Sequence, residues 1–205
     1  MPDLFIDLDG TLIDSRPRQY QLFMELAPHC PLDFDAYWRI KRRRINQEQM
    51  LRQYCGVTDA ATIENFHAQW MRQVEEPARL ALDHPLPDAD AFLARAVAYG
   101  TLYLVTARQS AALVAKQIAA FGWSRYFTAL LVTEQRHDKA TLMRSHARPG
   151  GIVIGDTGED IRAAKALGLT SIAVTSGILD GDILREYAPD RIVTGVGALA
   201  LPLTF

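Results

Sequence analysis

The stretch Leu4-Phe5-Ile6-Asp7-Leu8-Asp9-Gly10-Thr11 joins a short apolar run to a group of acidic and small residues. A continuous apolar run of this length is typical of a strand that is buried on both faces, as in a parallel sheet covered by helices. Asp7 directly follows the run, and Gly10 allows a tight turn soon after it. The stretch therefore predicts a buried strand that ends in carboxylates.

Other apolar runs repeat this pattern along the chain. They lie at residues 102–105, 130–132, 152–154, 171–174 and, more weakly, 192–193. Helical patterns fill the intervals, at residues 89–99, 109–121, 139–147, 160–167 and 182–187. This alternation predicts an α/β fold with a doubly wound, Rossmann-like parallel sheet. Gly100, Gly122 and Gly168 each follow a helical pattern, where we expect left-handed C-terminal caps.

One long segment interrupts the alternation. From Ser15 to Asp83 the sequence has helical patterns with several aromatic residues but no convincing strand. A Pro-rich segment at residues 83–88 follows and resembles a hinge. We therefore predict an α/β core formed by residues 1–14 and 85–205, with an all-helical insert at residues 15–84.

The composition is that of an ordinary soluble globular protein. Of the 205 residues, 49% are hydrophobic and 22% are charged, and the formal net charge is -2. This balance gives no sign of a nucleic-acid or membrane partner. Cys30 and Cys55 form no CxxC pair and no signal peptide is apparent, so we expect reduced thiols and a cytoplasmic location. The expected partner is a small metabolite, bound by a monomer or a homodimer.

Polar residues stand where the predicted strands end, which is where an open parallel sheet binds its ligands. Asp7, Thr106 and Asp156 follow or close three apolar runs, and Lys139 begins a helix after another. Asp7 and Asp156 would repel each other unless a hard cation lies between them, and Mg2+ typically uses one or two carboxylates together with a substrate phosphate. Thr106 and Lys139 could then donate to a phosphoryl group.

Asp9 adds a second carboxylate beside Asp7. In extended geometry, residues two apart point to the same side. One carboxylate could act as a nucleophile while the other donates a proton. An Asp-x-Asp pair before Gly is by itself more often a turn, but its combination with Thr106, Lys139 and Asp156 in this order favours catalysis.

These residues carry a family resemblance. Residues 7–15 resemble motif I of the haloacid dehalogenase superfamily, in the form seen in phosphoglycolate phosphatase-like members. Thr106 resembles motif II, Lys139 resembles motif III, and the stretch Gly155-Asp156-Thr157-Gly158-Glu159-Asp160 resembles motif IV. The helical insert is similar in position to the type C1 cap of this superfamily. The resemblance covers about residues 2–15 and 85–193.

The resemblance implies a role for each matching residue. Asp7 would attack phosphorus and become an aspartyl phosphate, and Asp9 would protonate the leaving group and then activate water. Because dehalogenating members lack an acidic residue at the position of Asp9, cleavage of carbon–halogen bonds is not expected. The implied ligands of the Mg2+ cofactor are Asp7, Asp9 through its carbonyl, Asp156 and Asp160. The candidates for binding the substrate phosphate are Thr106, Lys139, Gly10 and Arg108.

Three functions stay open at this stage. The first is Mg2+-dependent hydrolysis of a small phosphomonoester, and the second is a phosphomutase of the same architecture, since both need Asp7 and Asp9. A third is a non-catalytic phospholigand-binding domain, which would have no use for that pair. In the insert, Arg42, Arg43 and Arg44 form a cationic run. A solvated helix face is the favoured interpretation, although any of them could contact a second anionic group of the substrate.

Overall fold

The fold is described by a computed structural model for residues 1–202. In chain order the strands are β1 (Asp3–Ile6), β2 (Ile13–Asp14), β3 (His84–Pro85), β4 (Thr101–Thr106), β5 (Phe127–Val132), β6 (Ile152–Gly155), β7 (Thr170–Val174) and β8 (Arg191–Val193). The helices are α1 (Arg16–Leu26), α2 (Phe34–Lys41), α3 (Gln47–Tyr54), α4 (Ala60–Gln73), α5 (Pro77–Leu80), α6 (Ala89–Tyr99), α7 (Ala111–Ala120), α8 (Lys139–Met143), α9 (Gly158–Ala166) and α10 (Gly181–Arg185).

Six of the strands form one parallel sheet in the order β5-β4-β1-β6-β7-β8. Every predicted apolar run lies in one of these strands. The strand β1 is central, and the order reverses on either side of it. The predicted doubly wound α/β fold is therefore confirmed.

Both faces of the sheet are buried under helices, and alternate residues of each strand point to opposite faces. Leu4 and Ile6 of β1 belong to the same buried cluster as Phe92 of α6. Phe5, between them, belongs to a second cluster with Met143 of α8. Continuous apolar runs are needed because each face of the sheet meets its own layer of helices.

Two of the three predicted glycine caps are confirmed. Gly122 and Gly168 have φ angles of 72° and 65°, in the left-handed region. Gly100 was wrongly predicted, because its φ of -155° is extended. A side chain at Gly100 would overlap the Pro2 carbonyl, so close approach of the backbone explains the glycine there.

The segment between β2 and β3 is helical throughout its regular elements, as predicted. Helices α1 to α4 enclose a separate aromatic cluster that includes Phe23, Tyr37, Phe66 and Trp70. Phe66 and Trp70 are one turn apart on α4 and stack with ring centroids 5.9 Å apart. This spacing is the i, i+4 relation that places side chains on one helix face.

The cysteine prediction was wrong. Cys30, in the loop after α1, and Cys55, at the end of α3, form a disulfide with 4.5 Å between their Cα atoms. Helix packing brings together two residues that are 25 positions apart, and no sequence motif indicates this pairing. The argument for a cytoplasmic location that rests on reduced thiols therefore no longer holds.

The chain leaves and re-enters the sheet layer through one short antiparallel pair. In this pair Ile13 lies opposite Pro85, and Asp14 lies opposite His84. The Pro-rich segment predicted to act as a hinge contains β3, so both connections to the helical insert run side by side. Among residues 1–202, no helix is long and apolar enough to cross a membrane.

Candidate active site

The carboxyl edge of the sheet collects the polar residues that the sequence singled out. Asp7 follows β1, Thr106 closes β4, and Asp156 follows β6. Lys139 is the first residue of α8, which Asp138 caps by accepting a hydrogen bond from the Thr141 amide. All four line one cavity of about 270 Å³ between the sheet edge and the helical insert.

Lys139 lies between two carboxylates. Its Nζ atom is 2.6 Å from Asp7 Oδ1 and 2.6 Å from Asp160 Oδ1. The other oxygen of Asp7 accepts a hydrogen bond from the Thr11 hydroxyl at 3.1 Å. Although burial disfavours its charge, Asp160 and Asp7 hold the pKa of Lys139 above its ordinary value. The ammonium group is therefore a permanent cation at the centre of the site.

Asp160 is fixed by its own helix. Its Oδ2 accepts hydrogen bonds from the Thr157 amide and the Thr157 hydroxyl, at 3.1 and 2.7 Å, in the first turn of α9. A carboxylate at a helix N-terminus is also favoured by the helix dipole. Asp160 thus acts chiefly as an anchor for Lys139, and it is less available for a cation than the sequence suggested.

Asp156 is held between two glycines. Gly10 has a φ of 80°, and a side chain on either Gly10 or Gly177 would overlap the Asp156 carboxylate. The Ile178 amide donates to Asp156 Oδ2. The other oxygen, Oδ1, is buried and has no hydrogen-bond partner within residues 1–202. An orphaned carboxylate oxygen in the interior is costly unless a ligand reaches it.

The acidic cluster fits a divalent cation. Asp7, Asp156 and Asp160 each offer an oxygen within 4.8 Å of the others. Burial raises the pKa of Asp7 to about 7, against the opposing charge of Lys139. Burial, together with the charges of Asp7 and Asp160, also raises the pKa of Asp156 well above its usual range. A hard cation bound in this cluster would favour the ionised form of both carboxylates, against their burial and their mutual repulsion.

Asp9 is bound by two arginines. Arg18 of α1 donates to its Oδ1 at 2.7 Å, and Arg108 donates to both oxygens at 2.6 and 2.8 Å. Although burial opposes ionisation, the charges of Arg108 and Arg18 hold the pKa of Asp9 well below its usual range. In this conformation Asp9 is a carboxylate, and a quarter of its side-chain surface is exposed.

Asp83 completes this network and was not foreseen from the sequence. Its side chain is fully buried and accepts hydrogen bonds from Arg18, Arg108 and Gln117. Arg18 was also missed. It stands four residues before Leu22, so it lies on the apolar face of α1. The signal that could have revealed Arg18 is a cationic residue at a position where the helix pattern requires an apolar side chain.

Arg108 is another of the residues predicted to bind the substrate phosphate. It lines the cavity, but its guanidinium group is engaged with Asp9 and Asp83. The physical reason is charge balance, because the buried Asp83 and the partly buried Asp9 need cationic partners. Gly10, by contrast, does lie in the loop that lines the cavity beside Asp7 and Thr106.

The structure also places the run Arg42, Arg43 and Arg44 away from the cavity. Arg42 donates to Asp180 at 2.6 Å and to the carbonyl oxygens of Gly177 and Thr175 at 2.6 and 3.0 Å. The exposed Arg43 and Arg44 pair with Asp182 and Glu186. Since acidic residues on and around α10 face this run, the three arginines join the insert to the core instead of reaching a ligand.

Comparison with known proteins identifies the family. The sequence model of the haloacid dehalogenase-like hydrolase family matches residues 4–174. This range is most of the chain and includes all the residues at the sheet edge. This protein is a haloacid dehalogenase-like hydrolase. The resemblance found in the sequence is thereby confirmed.

The hydrolase is similar to phosphatases along its whole length. It is 27% identical to a phosphoglycolate phosphatase of Mesorhizobium japonicum, with 98% of this chain and 94% of that protein covered. Its fold matches a haloacid dehalogenase-like hydrolase of Streptococcus pneumoniae with a TM-score of 0.74 and 18% identity, over 96% and 95% of the two chains. A candidate β-phosphoglucomutase from Thermotoga maritima matches with a TM-score of 0.66 and 19% identity, over 94% of both chains.

Proposed function

We propose that this hydrolase cleaves small phosphomonoesters in a Mg2+-dependent reaction through an aspartyl phosphate on Asp7. The observation that carries the proposal is the convergence of Asp7, Thr106, Lys139 and Asp156 on one cavity at the carboxyl edge of the sheet. The similarity to phosphatases over the whole chain supports the same reaction class. The helices at residues 15–84 would act as a cap that excludes water from the site.

In the first step, an oxygen of the Asp7 carboxylate attacks phosphorus, and the bond from phosphorus to the leaving oxygen breaks. The proton that the leaving oxygen needs would come from Asp9, which must be protonated for this step although Arg108 and Arg18 favour its ionised form in this conformation. In the second step, water attacks the aspartyl phosphate while Asp9 takes its proton, which regenerates the Asp7 carboxylate and releases phosphate. The ionised Asp9 of this structure is the form that the second step requires.

Several residues would hold the transferring phosphoryl group. Lys139 offers a charge that is fixed against Asp7, and Thr106 offers a hydroxyl at the end of β4. The amide groups of the loop at Gly10 would add neutral donors. Asp7, Asp156 and the Asp9 carbonyl are the proposed Mg2+ ligands, and Asp160 would act on the metal only through its neighbours. Bound Mg2+ would supply the positive charge that offsets the carboxylates and the phosphoryl oxygens.

A phosphomutase is the second candidate, because a candidate β-phosphoglucomutase is among the structural matches. In a mutase the phosphoryl group would return from Asp7 to a sugar instead of passing to water. The two reactions therefore differ in their products. A hydrolase accumulates inorganic phosphate steadily, whereas a mutase converts one sugar phosphate to its isomer with little release of phosphate.

Release of inorganic phosphate from a panel of phosphomonoesters, with Mg2+ or with EDTA, tests the proposal. We expect steady release that requires Mg2+ and that falls about a thousandfold or more in Asp7→Asn, because the nucleophile is lost. The variant should remain folded, since Asn keeps the shape of the side chain. Unchanged turnover in Asp7→Asn would refute the mechanism, and isomerisation without phosphate release would favour the mutase.

A further inference from the structure

Resting on the proposed phosphatase activity, the geometry points to a substrate whose leaving group is uncharged and carries a hydroxyl, recognised by Glu75 and Trp38 of the helical insert. This inference concerns the end of the cavity away from Asp7. It differs from what the names of the relatives suggest, because phosphoglycolate carries a carboxylate at the corresponding end.

Among the described residues, every cationic side chain that lines the cavity is already paired with a carboxylate, so none is available to bind a second anionic group of the substrate. Among residues 1–202, the cationic side chains in the lining are Arg16, Arg18, Arg108 and Lys139. Arg16 binds both oxygens of Asp14 at 2.8 and 2.6 Å. The other three are paired with Asp9, Asp83, Asp7 and Asp160, as described above.

Acidic side chains outnumber these cations in the lining. They are Asp7, Asp9, Asp14, Glu75, Asp156 and Glu159. A bound Mg2+ and the substrate phosphate would roughly cancel each other, so the remaining environment stays negative. A carboxylate at the far end of the substrate would therefore meet net repulsion.

Glu75 supplies the unpaired acceptor. It follows α4 and is 9% exposed, and its Oε1 accepts a hydrogen bond from the Gln109 amide at 2.8 Å. Its second oxygen, Oε2, is buried and has no hydrogen-bond partner in residues 1–202. An acceptor of this kind in the wall of a ligand cavity favours a ligand that donates a hydrogen bond.

Trp38 supplies an unpaired donor in the same cavity. Its ring belongs to the insert's aromatic cluster and is 5% exposed, and its indole nitrogen is buried without a partner in the described chain. Trp70, Met71 and Ile178 add apolar surface to the wall. A hydroxyl can donate to an acceptor such as Glu75 and can accept from a donor such as Trp38, and the carbon chain that bears it would lie against this apolar surface.

Three two-carbon phosphate esters that differ only at their far end test the inference. They are 2-hydroxyethyl phosphate, ethyl phosphate and phosphoglycolate, which end in a hydroxyl, a methyl group and a carboxylate. With Mg2+ we expect kcat/KM to be at least about tenfold higher for the hydroxyl ester than for either of the others, because only the hydroxyl can pair with the buried atoms without adding a negative charge.

The variant Glu75→Gln keeps the size of the side chain and an acceptor for the Gln109 amide, but it loses the charge. We expect the preference for the hydroxyl ester over phosphoglycolate to fall about tenfold. Glu76→Gln is the matched control, because Glu76 is next in sequence, exposed, and absent from the cavity lining. It should leave the preference unchanged. Trp38→Phe, which keeps an aromatic ring but removes the indole donor, should reduce the preference severalfold.

The outcomes separate the two proposals. If phosphate is released but phosphoglycolate or ethyl phosphate is as good a substrate as the hydroxyl ester, the inference is overturned and the phosphatase proposal stands. The same holds if Glu75→Gln, folded as judged by its thermal unfolding, keeps the preference of the wild type. If none of the esters nor any of the wider panel releases phosphate, the phosphatase proposal fails and the inference fails with it.

Discussion

At the scale of single residues, the surroundings of Asp9 define the site. Three guanidinium hydrogen bonds reach its carboxylate, and the same two arginines share the buried Asp83. Arg18 comes from the insert, Arg108 from the core, and Asp83 from the segment just before β3. One charge network therefore joins both parts of the molecule at the proposed acid–base residue.

Removal of Arg18 should lower the stability of the folded protein. In Arg18→Met, the buried Asp83 and the partly exposed Asp9 each lose a cationic partner, and we expect the free energy of unfolding to fall by about 2–4 kcal/mol. Urea unfolding measures this change. The control is Arg52→Met, because Arg52 forms an exposed i, i+4 pair with Glu48 and should contribute about 0.5 kcal/mol or less. Equal effects of the two variants would contradict the structural role of the network.

The sequence could predict which residues reach the sheet edge, but it could not predict how they pair. Asp7, Thr106, Lys139 and Asp156 were found because the ends of parallel strands share one edge. The partners Arg18, Asp83 and Glu75 come from the insert and its connection, and their placement depends on how helices pack against the core. Helix packing of this kind leaves no local pattern, so the pairing of Arg108 with Asp9 was also missed.

At the scale of elements, the contact between α2 and the loop before α10 depends mainly on Arg42. Arg42 binds the carbonyl of Gly177, and the next residue, Ile178, donates its amide to Asp156. Arg42→Ala should lower both kcat/KM, by about tenfold, and the free energy of unfolding, by about 1–2 kcal/mol. Its loss frees the loop that positions Asp156.

Arg43→Ala provides the comparison for this prediction. Arg43 is more than half exposed and pairs with Asp182, which is similarly exposed. An exposed pair contributes little, so we expect no measurable change in the free energy of unfolding and less than about a twofold change in activity. The role of Arg42 would be contradicted if both substitutions gave the same small effects in phosphate-release and urea-unfolding assays.

The disulfide is a second feature at this scale. Cys30 and Cys55 close a loop of 25 residues that contains α2 and α3. In the chain-entropy description, closure of such a loop stabilises the folded state by about 3 kcal/mol. We expect a reducing agent to lower the unfolding temperature of the wild type, whereas a Cys30→Ser/Cys55→Ser variant should be insensitive to the reductant. If reductant leaves the wild-type curve unchanged, the bond does not contribute to stability in solution.

At the scale of the whole molecule, stability should depend on pH through Asp7. Its pKa rises from 3.8 to about 7 on folding, so the folded protein keeps a proton between these values that the unfolded chain has lost. Without a cation, the free energy of unfolding should therefore fall as pH rises through this window, by up to about 1.4 kcal/mol per pH unit. Above about pH 7 the contribution of Asp7 no longer changes.

Asp9 contributes in the opposite sense and in a different window. Because its pKa is lowered on folding, its stabilisation is complete above the ordinary pKa near 3.8 and is lost only as the solution becomes strongly acidic. Asp9 therefore does not mask the effect of Asp7 between pH 5 and pH 7. The pKa of Asp156 is also raised, partly by the charge of Asp7, so comparison of the wild type with Asp7→Asn measures the slope of Asp7 together with its effect on Asp156.

Mg2+ should reverse this loss of stability. Binding to the ionised carboxylates favours the folded state, so the stabilisation by Mg2+ relative to EDTA should be larger at pH 7.5 than at pH 5. Urea unfolding at a series of pH values measures both effects. If the curves with Mg2+ and with EDTA run parallel, or if Asp7→Asn keeps the wild-type slope, the assignment of the cation site to these carboxylates is wrong.

The short pair formed by β2 and β3 has a consequence for how such a protein can change over generations. Because Asp14 and His84 are direct partners in that pair, the chain leaves and re-enters the core at essentially one point. The intervening helices can lengthen, shorten or be exchanged at little cost in chain closure, provided that the ion pairs of Arg18 and Arg42 with the core are kept or replaced. Mutations in the insert can thus change the residues that contact the substrate, while the register of the sheet stays the same. Substrate selectivity can therefore evolve separately from the catalytic residues at the sheet edge.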